Sequence, residues 1–338
     1  MTRKLVARGY GEPEQVLTVA ELPGDPPPGP GEARIAVSAA GLNYLDVSLC
    51  RGEYPQQPEP PFTPGVEAAG HVVAVGSGVD AGRLLGRDVI ACPTLPRGAL
   101  GESVTVDAAL VVPRPPELPA VAAAALPVTY QTGWFALSRA GLAAGETVLV
   151  HAGAGGVGIA TTQLAVARGA RVICTAGGPE KAAVCREHGA ELAVDYRRED
   201  FVAAVRDATG GRGADVVVDP VGGAVTAQSL ECLAFEGRLV SVGAAAGAPP
   251  PVDPLRLVAG NWSLVGLSWG SAYPGRRPEA VAAAYQELFA LHRAGAVRPP
   301  VTRVVGLAEA PAALADLAAR RTTGKLVVQI GGDDGRRG

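Results

Sequence analysis

The 338-residue sequence lacks three features that would each point to a class of protein: an excess of positive charge, a long apolar run and paired cysteines. Its net charge of −3 provides no cationic surplus for phosphate backbones, so nucleic acid is not an expected partner. No stretch of about 18 residues is free of glycine, proline and charge, so no membrane span is predicted. The N-terminal residues contain no apolar signal segment, and a cytoplasmic location is expected.

The cysteines are five in number and include no C-x-x-C pair. An odd count with this spacing predicts neither a disulfide framework nor a zinc knuckle. Each cysteine is interpreted as a small buried apolar residue.

The composition and length favour a globular protein of about two domains, with 48% hydrophobic and 19% charged residues. Residues 1–125 contain short β-like runs separated by proline and glycine, which is typical of a β-rich barrel or sandwich. Residues 126–264 change to alternating apolar strands and amphipathic helices, which predicts an α/β domain with a doubly wound parallel Rossmann sheet. Residues 265–338 are expected to return to the first domain, with the tail GGDDGRRG frayed.

One loop of the α/β region carries the clearest functional signal. Residues 148–160 read VLVHAGAGGVGIA, which places a G-x-G-x-x-G pattern between a predicted strand and a predicted helix. Glycines there allow a tight turn, close approach of a pyrophosphate and close helix–sheet packing. A plain glycine turn would not explain the clustering. The predicted cofactor-binding residues of the loop are Gly153, Ala154, Gly155, Gly156, Val157 and Gly158.

The end of the next strand indicates which dinucleotide binds. An NAD enzyme would carry an acidic residue there to bind the ribose 2′-hydroxyl, but the sequence has Ala176, Gly177 and Gly178. The missing carboxylate permits NADPH, and Lys181 supplies a compensating charge one turn later. Glu180 argues against this assignment, since a solvated helix start would explain both charges equally well.

Seven blocks resemble the medium-chain dehydrogenases/reductases and, among them, the zinc-free quinone oxidoreductases related to zeta-crystallin. The resemblance covers essentially all of residues 1–331, and the blocks occur in the family's order. The blocks are AAGLNYLDVSLCRGEYP (39–55), PFTPGVEAAGHVVAVGSGV (61–79), AAALPVTYQTGW (123–134), VLVHAGAGGVG (148–158), VVVDPVGG (216–223), GRLVSVG (237–243) and TTGKLVV (322–328). The resemblance implies a GroES-like, β-rich catalytic domain built from both chain ends, with the Rossmann domain inserted and the active site in the cleft between them.

The resemblance also bears on metal chemistry. Zinc enzymes of this superfamily carry a ligand cysteine and a ligand histidine in the blocks where this sequence has Asn43 and Val66, and neither residue suits zinc. Without a Lewis acid, hydrogen bonds must polarise the substrate, which favours quinones and α,β-unsaturated ketones as hydride acceptors.

The resemblance places Asn43 and Tyr54 in the catalytic site as hydrogen-bond donors, and Asp46 as a brace for Asn43. A turn-stabilising asparagine and a half-buried loop tyrosine are the alternative interpretations. Tyr54 is also a candidate proton donor, although a phenol with a pKa of about 10 is a slow acid at neutral pH and water can serve instead.

Four further cofactor contacts come from the same resemblance. Thr129 would approach the nicotinamide, Gly243 would present its backbone to the nicotinamide half, and Tyr196 would cover the adenosine phosphate. Arg320 would bind a phosphate, although Arg321 leaves that register open by one residue.

The sequence therefore predicts an NADPH-dependent, zinc-independent reductase of quinones or enones. An enoyl reductase acting on an acyl thioester or a natural-product intermediate is a close alternative, and a non-catalytic crystallin-like or RNA-binding protein is a more distant one. The resemblance implies a homodimer, for which residues 261–269 are a candidate edge segment.

Overall fold

The computed structural model describes residues 1–270 and 272–331. The chain divides into two compact units, one formed by residues 1–128 together with residues from 299 onward, the other by residues 129–298. The first boundary lies close to the expected position 125. The second boundary was expected after residue 264 but lies after residue 298, because residues 265–298 belong to the inserted unit. The tail that was expected to be frayed begins at residue 331, and its residues from 332 onward lie outside the described ranges.

The strands within the described residues are numbered here in chain order. They are β1 (Thr2–Ala7), β2 (Leu17–Leu22), β3 (Glu32–Leu42), β4 (Ala68–Val75), β5 (Asp88–Ala91), β6 (Ser103–Asp107), β7 (Val111–Pro113), β8 (Thr147–Val150), β9 (Arg171–Ala176), β10 (Leu192–Asp195), β11 (Ala214–Asp219), β12 (Leu233–Ser241), β13 (Ser263–Gly266), β14 (Val301–Val305) and β15 (Lys325–Gln329).

The α-helices of the same ranges are numbered in the same way. They are α1 (Pro13–Val16), α2 (Tyr44–Arg51), α3 (Ala81–Leu84), α4 (Ala120–Ala124), α5 (Pro127–Arg139), α6 (Gly156–Ala167), α7 (Pro179–Glu187), α8 (Phe201–Ala208), α9 (Ala224–Leu230), α10 (Pro254–Gly260), α11 (Tyr273–Arg276), α12 (Pro278–Arg293) and α13 (Ala310–Ala318). None of them is both long enough and apolar enough to cross a bilayer.

The inserted unit is built on a parallel sheet with the strand order β10-β9-β8-β11-β12-β13. Its central strand β8 is fully buried along Val148, Leu149 and Val150, as expected for a sheet with helices on both faces. The order reverses direction at β8, which is the doubly wound arrangement. The predicted Rossmann-like fold is confirmed.

One helix lies in a different unit from the one that the sequence predicts. Helix α12, expected in the β-rich domain, packs with the inserted unit, where Glu287 accepts a hydrogen bond from the Trp134 indole at 2.7 Å. A helical period shows that one face is buried but not against which unit.

The inserted unit is closed by a hydrogen bond between its two chain ends. The Tyr130 hydroxyl, fully buried, donates to the carbonyl of Arg298 at 2.8 Å and lies 2.7 Å from Oε1 of Gln163. The backbone N–H of Arg298 donates to the same Gln163 oxygen at 2.9 Å. The first and last residues of the inserted unit therefore lie next to each other.

The other unit contains a mostly antiparallel sheet in the order β14-β15-β3-β4-β5-β7, with β6 also paired to β3. Strand β3 has eleven residues, long enough to pair with β15 near one end and with β6 near the other. Its C-terminal end, next to β15 and β4, leads directly into α2. The predicted β-rich unit with contributions from both chain ends is present.

Candidate cofactor site and catalytic residues

The glycine loop links β8 to α6 and lies at the carboxyl end of the parallel sheet. Gly155 precedes the first helical residue and has extended backbone (φ −85°, ψ 172°). The N–H groups of Gly156 and Val157 belong to the first helical turn and have no acceptor within the helix. Together with the helix dipole, they can bind an anion.

The three glycines of the G-x-G-x-x-G pattern differ in what surrounds them. A Cβ on Gly153 would lie 2.6 Å from the Cβ of Cys174 and 2.9 Å from the Sγ of Cys185. A Cβ on Gly158 would overlap the carbonyl oxygen of Ala152 and lie 2.7 Å from the Cα of Gly153. These two positions are closed by packing.

Gly155 is different, because a Cβ there would meet only the carbonyl oxygen of Ala152, at 3.3 Å. The backbone at Gly155 is therefore open on its outer side. Tight packing at Gly153 and Gly158 and an open backbone between them is the arrangement that a pyrophosphate requires. The residues present fit a dinucleotide.

The turn after β9 contains the predicted specificity residues. Ala176 ends the strand, and no acidic side chain follows before Glu180. A Cβ on Gly177 would lie 2.6 Å from the hydroxyl oxygen of Tyr196, so the structure brings Gly177 and Tyr196 close together. Lys181 lies in the first turn of α7, half-buried.

Sequence reasoning missed two residues beside this turn. Asp195, 6% exposed at the end of β10, accepts a hydrogen bond from the N–H of Gly178 at 2.8 Å. Arg197 lies near the same turn, since a Cβ on Gly177 would be 3.2 Å from its Nε. The available signal was that both residues stand at the carboxyl end of an apolar, strand-like run, which is the edge of a parallel sheet where ligands bind.

Asn43 and Asp46 lie in the other unit, where β3 ends and α2 begins. The buried Asp46 carboxylate accepts hydrogen bonds from the N–H of Asn43 and from the N–H of Gly65, each at 2.9 Å. Burial raises the pKa of Asp46 to about 6, against the two N–H donors and Lys325, which lower it. This geometry is that of a brace for the backbone.

The side chain of Asn43 belongs to a buried polar network that sequence reasoning also missed. Its Nδ2 donates to Glu67 Oε1 at 2.7 Å, and its Oδ1 accepts from the Lys325 ammonium at 2.8 Å. Lys325 also pairs with Glu67 and donates to the carbonyl of Leu42 at 2.8 Å. Glu67 is 0% and Lys325 3% exposed. Charged residues within the apolar blocks PGVEAAG and GKLVV were the available signal.

The network fixes the orientation of the Asn43 amide. One N–H of Nδ2 is held by Glu67, whereas the other has only a long contact of 3.5 Å with the carbonyl of Gly41. The second N–H is the one that Asn43 can offer to a further acceptor. The other Glu67 oxygen is held by the N–H of Val128 at 2.8 Å.

The remaining predicted site residues lie as follows. Tyr54 is half-buried against the core of the β-rich unit, and burial raises its pKa. Thr129 is buried at the start of the inserted unit, and Gly243 follows β12, where a Cβ would lie 3.1 Å from the carbonyl oxygen of Pro220. Arg320 is exposed in the β-rich unit with a positive φ of 57°.

Within residues 1–270 and 272–331, no cluster of three or more His, Cys, Asp or Glu side chains is able to hold a metal ion.

This fold and glycine turn define the class: a two-unit, dinucleotide-binding oxidoreductase. Residues 29–116 match the alcohol dehydrogenase GroES-like domain, and residues 156–287 match the zinc-binding dehydrogenase domain. The quinone oxidoreductase of Pseudomonas aeruginosa is 37% identical over 97% of this chain and 99% of its own. The chain therefore belongs to the quinone oxidoreductase family of medium-chain dehydrogenases/reductases.

Two further comparisons are informative. The solved structure of Escherichia coli quinone oxidoreductase in complex with NADPH is 31% identical, with a TM-score of 0.88 over 97% of this chain and all of that one. A phthioceranic/hydroxyphthioceranic acid synthase of Mycobacterium tuberculosis is 35% identical over 90% of this chain, which spans only 14% of that much longer protein.

Proposed function

We propose that the chain is an NADPH-dependent reductase that transfers hydride, without zinc, to a quinone or an α,β-unsaturated carbonyl compound. The observation that carries the proposal is a glycine turn open at Gly155, combined with a β9 end that has no carboxylate. The NADPH complex of the Escherichia coli relative supports the choice of cofactor. When bound, the cofactor supplies the hydride from its nicotinamide ring.

The cofactor-side residues have distinct tasks in this proposal. The first turn of α6 binds the pyrophosphate, with Gly155 giving it access to the backbone. Lys181 and Tyr196 act near the adenosine phosphate. Thr129 and Gly243 contact the nicotinamide half, and Arg320 contributes a phosphate contact, as the resemblance implies.

Zinc independence rests on the side chains at two positions. Val66 has no ligating atom, and the amide of Asn43 is engaged by Glu67 and Lys325. Neither side chain offers the cysteine or histidine donors that catalytic zinc takes. Elemental analysis of purified protein should find no stoichiometric zinc, and a bound equivalent would overturn this part of the proposal.

In the absence of zinc, hydrogen bonds polarise the substrate carbonyl. The less engaged N–H of Asn43 and the Tyr54 hydroxyl are the donors. Burial raises the pKa of Tyr54, so its hydroxyl stays protonated at neutral pH. The hydroxyl is therefore better suited to donating a hydrogen bond than to transferring its proton quickly. Conjugated acceptors are favoured because their reduced products spread the developing negative charge.

The direct test is a titration followed by turnover. NADPH fluorescence should change on binding, and absorbance at the nicotinamide band should fall when 9,10-phenanthrenequinone or 2-cyclohexenone is added. If the purified protein neither binds NADPH nor consumes it with either acceptor, the enzyme proposal fails and the non-catalytic alternative gains.

A second candidate substrate class is an acyl thioester reduced at its double bond. The 35% identity with one segment of the Mycobacterium tuberculosis acid synthase favours it. A comparison of kcat/KM for crotonyl-CoA and for the two acceptors above separates the candidates, because the same hydride transfer serves both.

We infer, in addition, a homodimer that pairs through β13. This strand lies at the edge of the parallel sheet within the described residues, and apolar side chains are exposed around it: Phe235, Leu255, Val258 and Leu264. Light scattering after gel filtration should give twice the chain mass, and Leu264→Glu should give the single mass. Val304→Glu, on the edge strand β14 and 45% exposed, is the matched control that should leave the mass unchanged.

A further inference from the structure

The loops that follow β9 and β10 lie side by side at the carboxyl end of the parallel sheet. Ala176 pairs with Asp195 in the register of the two strands, so the next residues of each strand are neighbours. A Cβ on Gly177 would be 3.2 Å from Nε of Arg197, and a Cβ on Gly178 would be 3.8 Å from its Nη1. The Arg197 guanidinium therefore lies beside the turn where an NAD enzyme would carry its acidic residue.

The backbone of this turn is poorly equipped to bind a phosphate. The N–H of Gly178 is already donated to Asp195, and Pro179, the next residue, has no N–H. Asp195 also places a carboxylate beside the turn, and like charges at short range repel a phosphate group. A phosphate at this place needs a cationic side chain.

Arg197 is equipped for that role. Its backbone N–H is anchored to Asp195 Oδ1 at 3.1 Å, whereas its exposed guanidinium donates to no protein acceptor within residues 1–270 and 272–331. By contrast, Arg186 on the neighbouring helix α7 donates to the carbonyl of Ala193 at 3.0 Å. A planar guanidinium can bind two phosphate oxygens at once, which an ammonium group cannot do with the same geometry.

We propose that Arg197 binds the 2′-phosphate of NADPH and is a principal source of the preference for NADPH over NADH. The proposal rests on the proposed function, since it needs the dinucleotide in the glycine turn. The Tyr196 hydroxyl, close to Gly177, would lie beside the same phosphate. Asp195 is then a positioning residue that fixes both the turn and the backbone of Arg197.

The test measures binding rather than turnover. Kd values for NADPH, NADH, 2′-AMP and 5′-AMP are measured by titration calorimetry for the unchanged protein and for Arg197→Ala. Arg198→Ala is the matched control, because Arg198 is also exposed and adjacent, and its backbone N–H bonds the carbonyl of Asp195. Arg197→Gln is a second variant in case the alanine variant lowers the melting temperature.

Arg197→Ala is expected to weaken NADPH and 2′-AMP about tenfold, or about 1.4 kcal/mol, and to change NADH and 5′-AMP less than about twofold. Arg198→Ala should bind all four ligands as the unchanged protein does. Equal losses for NADPH and NADH, no loss, or the same loss in both arginine variants would overturn the role of Arg197. If the unchanged protein fails to prefer NADPH, the cofactor assignment itself falls, and the role of Arg197 falls with it.

Discussion

The glycine turn of the inserted unit is shaped by the absence of side chains, whereas the region around Asn43 in the β-rich unit is shaped by buried polar side chains. The turn depends on backbone atoms in close contact across Gly153 and Gly158. The network depends on charges that cancel, with Lys325 and Glu67 paired out of contact with water. Substitutions at the glycine turn should therefore act by steric overlap, and substitutions in the Asn43 network should act by leaving a buried charge unpaired.

The largest effect is expected from Lys325→Met. It leaves the carboxylate of Glu67 buried without its cationic partner, which should cost about 3–5 kcal/mol of unfolding free energy. Urea denaturation followed by circular dichroism measures the loss. The double variant Glu67→Gln with Lys325→Met should recover more than half of it, because no uncompensated charge is left. A loss below about 1 kcal/mol in the single variant would mean that the pair is not buried as described.

The next effect separates the two regions by pH. His151, at the start of the glycine loop, is buried between the hydroxyls of Thr175 and Ser229, and burial lowers its pKa to about 4. The unfolded chain takes up the proton near the ordinary histidine pKa of 6.5, whereas the folded chain takes it up only near pH 4. Stability contributed by the neutral imidazole is therefore lost as pH falls from 6.5 to 4, by a total on the order of 3 kcal/mol.

The unfolding free energy of His151→Gln, measured from pH 7 to pH 4, should be flatter than that of the unchanged protein. Asp46 acts in the opposite direction. Its pKa is raised from 3.8 to about 6, so its contribution is full below pH 3.8 and is lost as pH rises through 6. Asp46→Asn should therefore make the loss between pH 6 and 4 steeper. Identical profiles in all three proteins would contradict both assignments.

A third experiment separates closed glycines from open ones. Gly158→Ala should cost about 1–3 kcal/mol of stability, because its Cβ meets backbone that cannot move aside. Gly155→Ala should stay within about 1 kcal/mol of the unchanged protein, yet its methyl group occupies the outer side of the turn. NADPH should then bind roughly tenfold more weakly to Gly155→Ala. Should Gly155→Ala bind NADPH normally, the pyrophosphate does not lie where we propose.

The smallest effect concerns Lys181. Lys181→Ala should raise the Kd for NADPH about threefold, within the range expected of a partly exposed charge, and leave that for NADH unchanged. Glu180→Gln is the neighbouring control and should tighten NADPH slightly, because it removes a like charge. Both constants come from fluorescence titration. Equal weakening of NADPH and NADH by Lys181→Ala would remove its phosphate role.

The two regions also differ in how far the sequence foretells them. The glycine turn was predicted because its strand, turn and helix are contiguous, so one short window holds every part. The Asn43 network was not, because Glu67 lies 24 and Lys325 282 positions away from Asn43. Only the sheet, which places β15 and β4 on either side of β3, brings them together.

The same reason accounts for two smaller errors. Tyr285 and Leu288 of α12 are buried, but a helical period does not tell which unit buries them. Arg197 stands in the charged run YRRED and reads as solvated surface until β10 is placed beside β9. The local sequence pattern predicts the helices and strands, but which of them lie side by side depends on contacts between segments that are far apart in the sequence.

The hydrogen bond from Tyr130 to Arg298 has a consequence for how such a protein can change. The two ends of the inserted unit are held close together, so the β-rich unit that carries the insertion has to span only a short, fixed distance. It does not bear the closure entropy of a long flexible loop. The nucleotide-binding segment can thus be exchanged as a cassette with two splice points, near residues 128 and 298. Gly155 and Lys181 would move with the exchanged segment, whereas Asn43 and Arg320 would stay with the host.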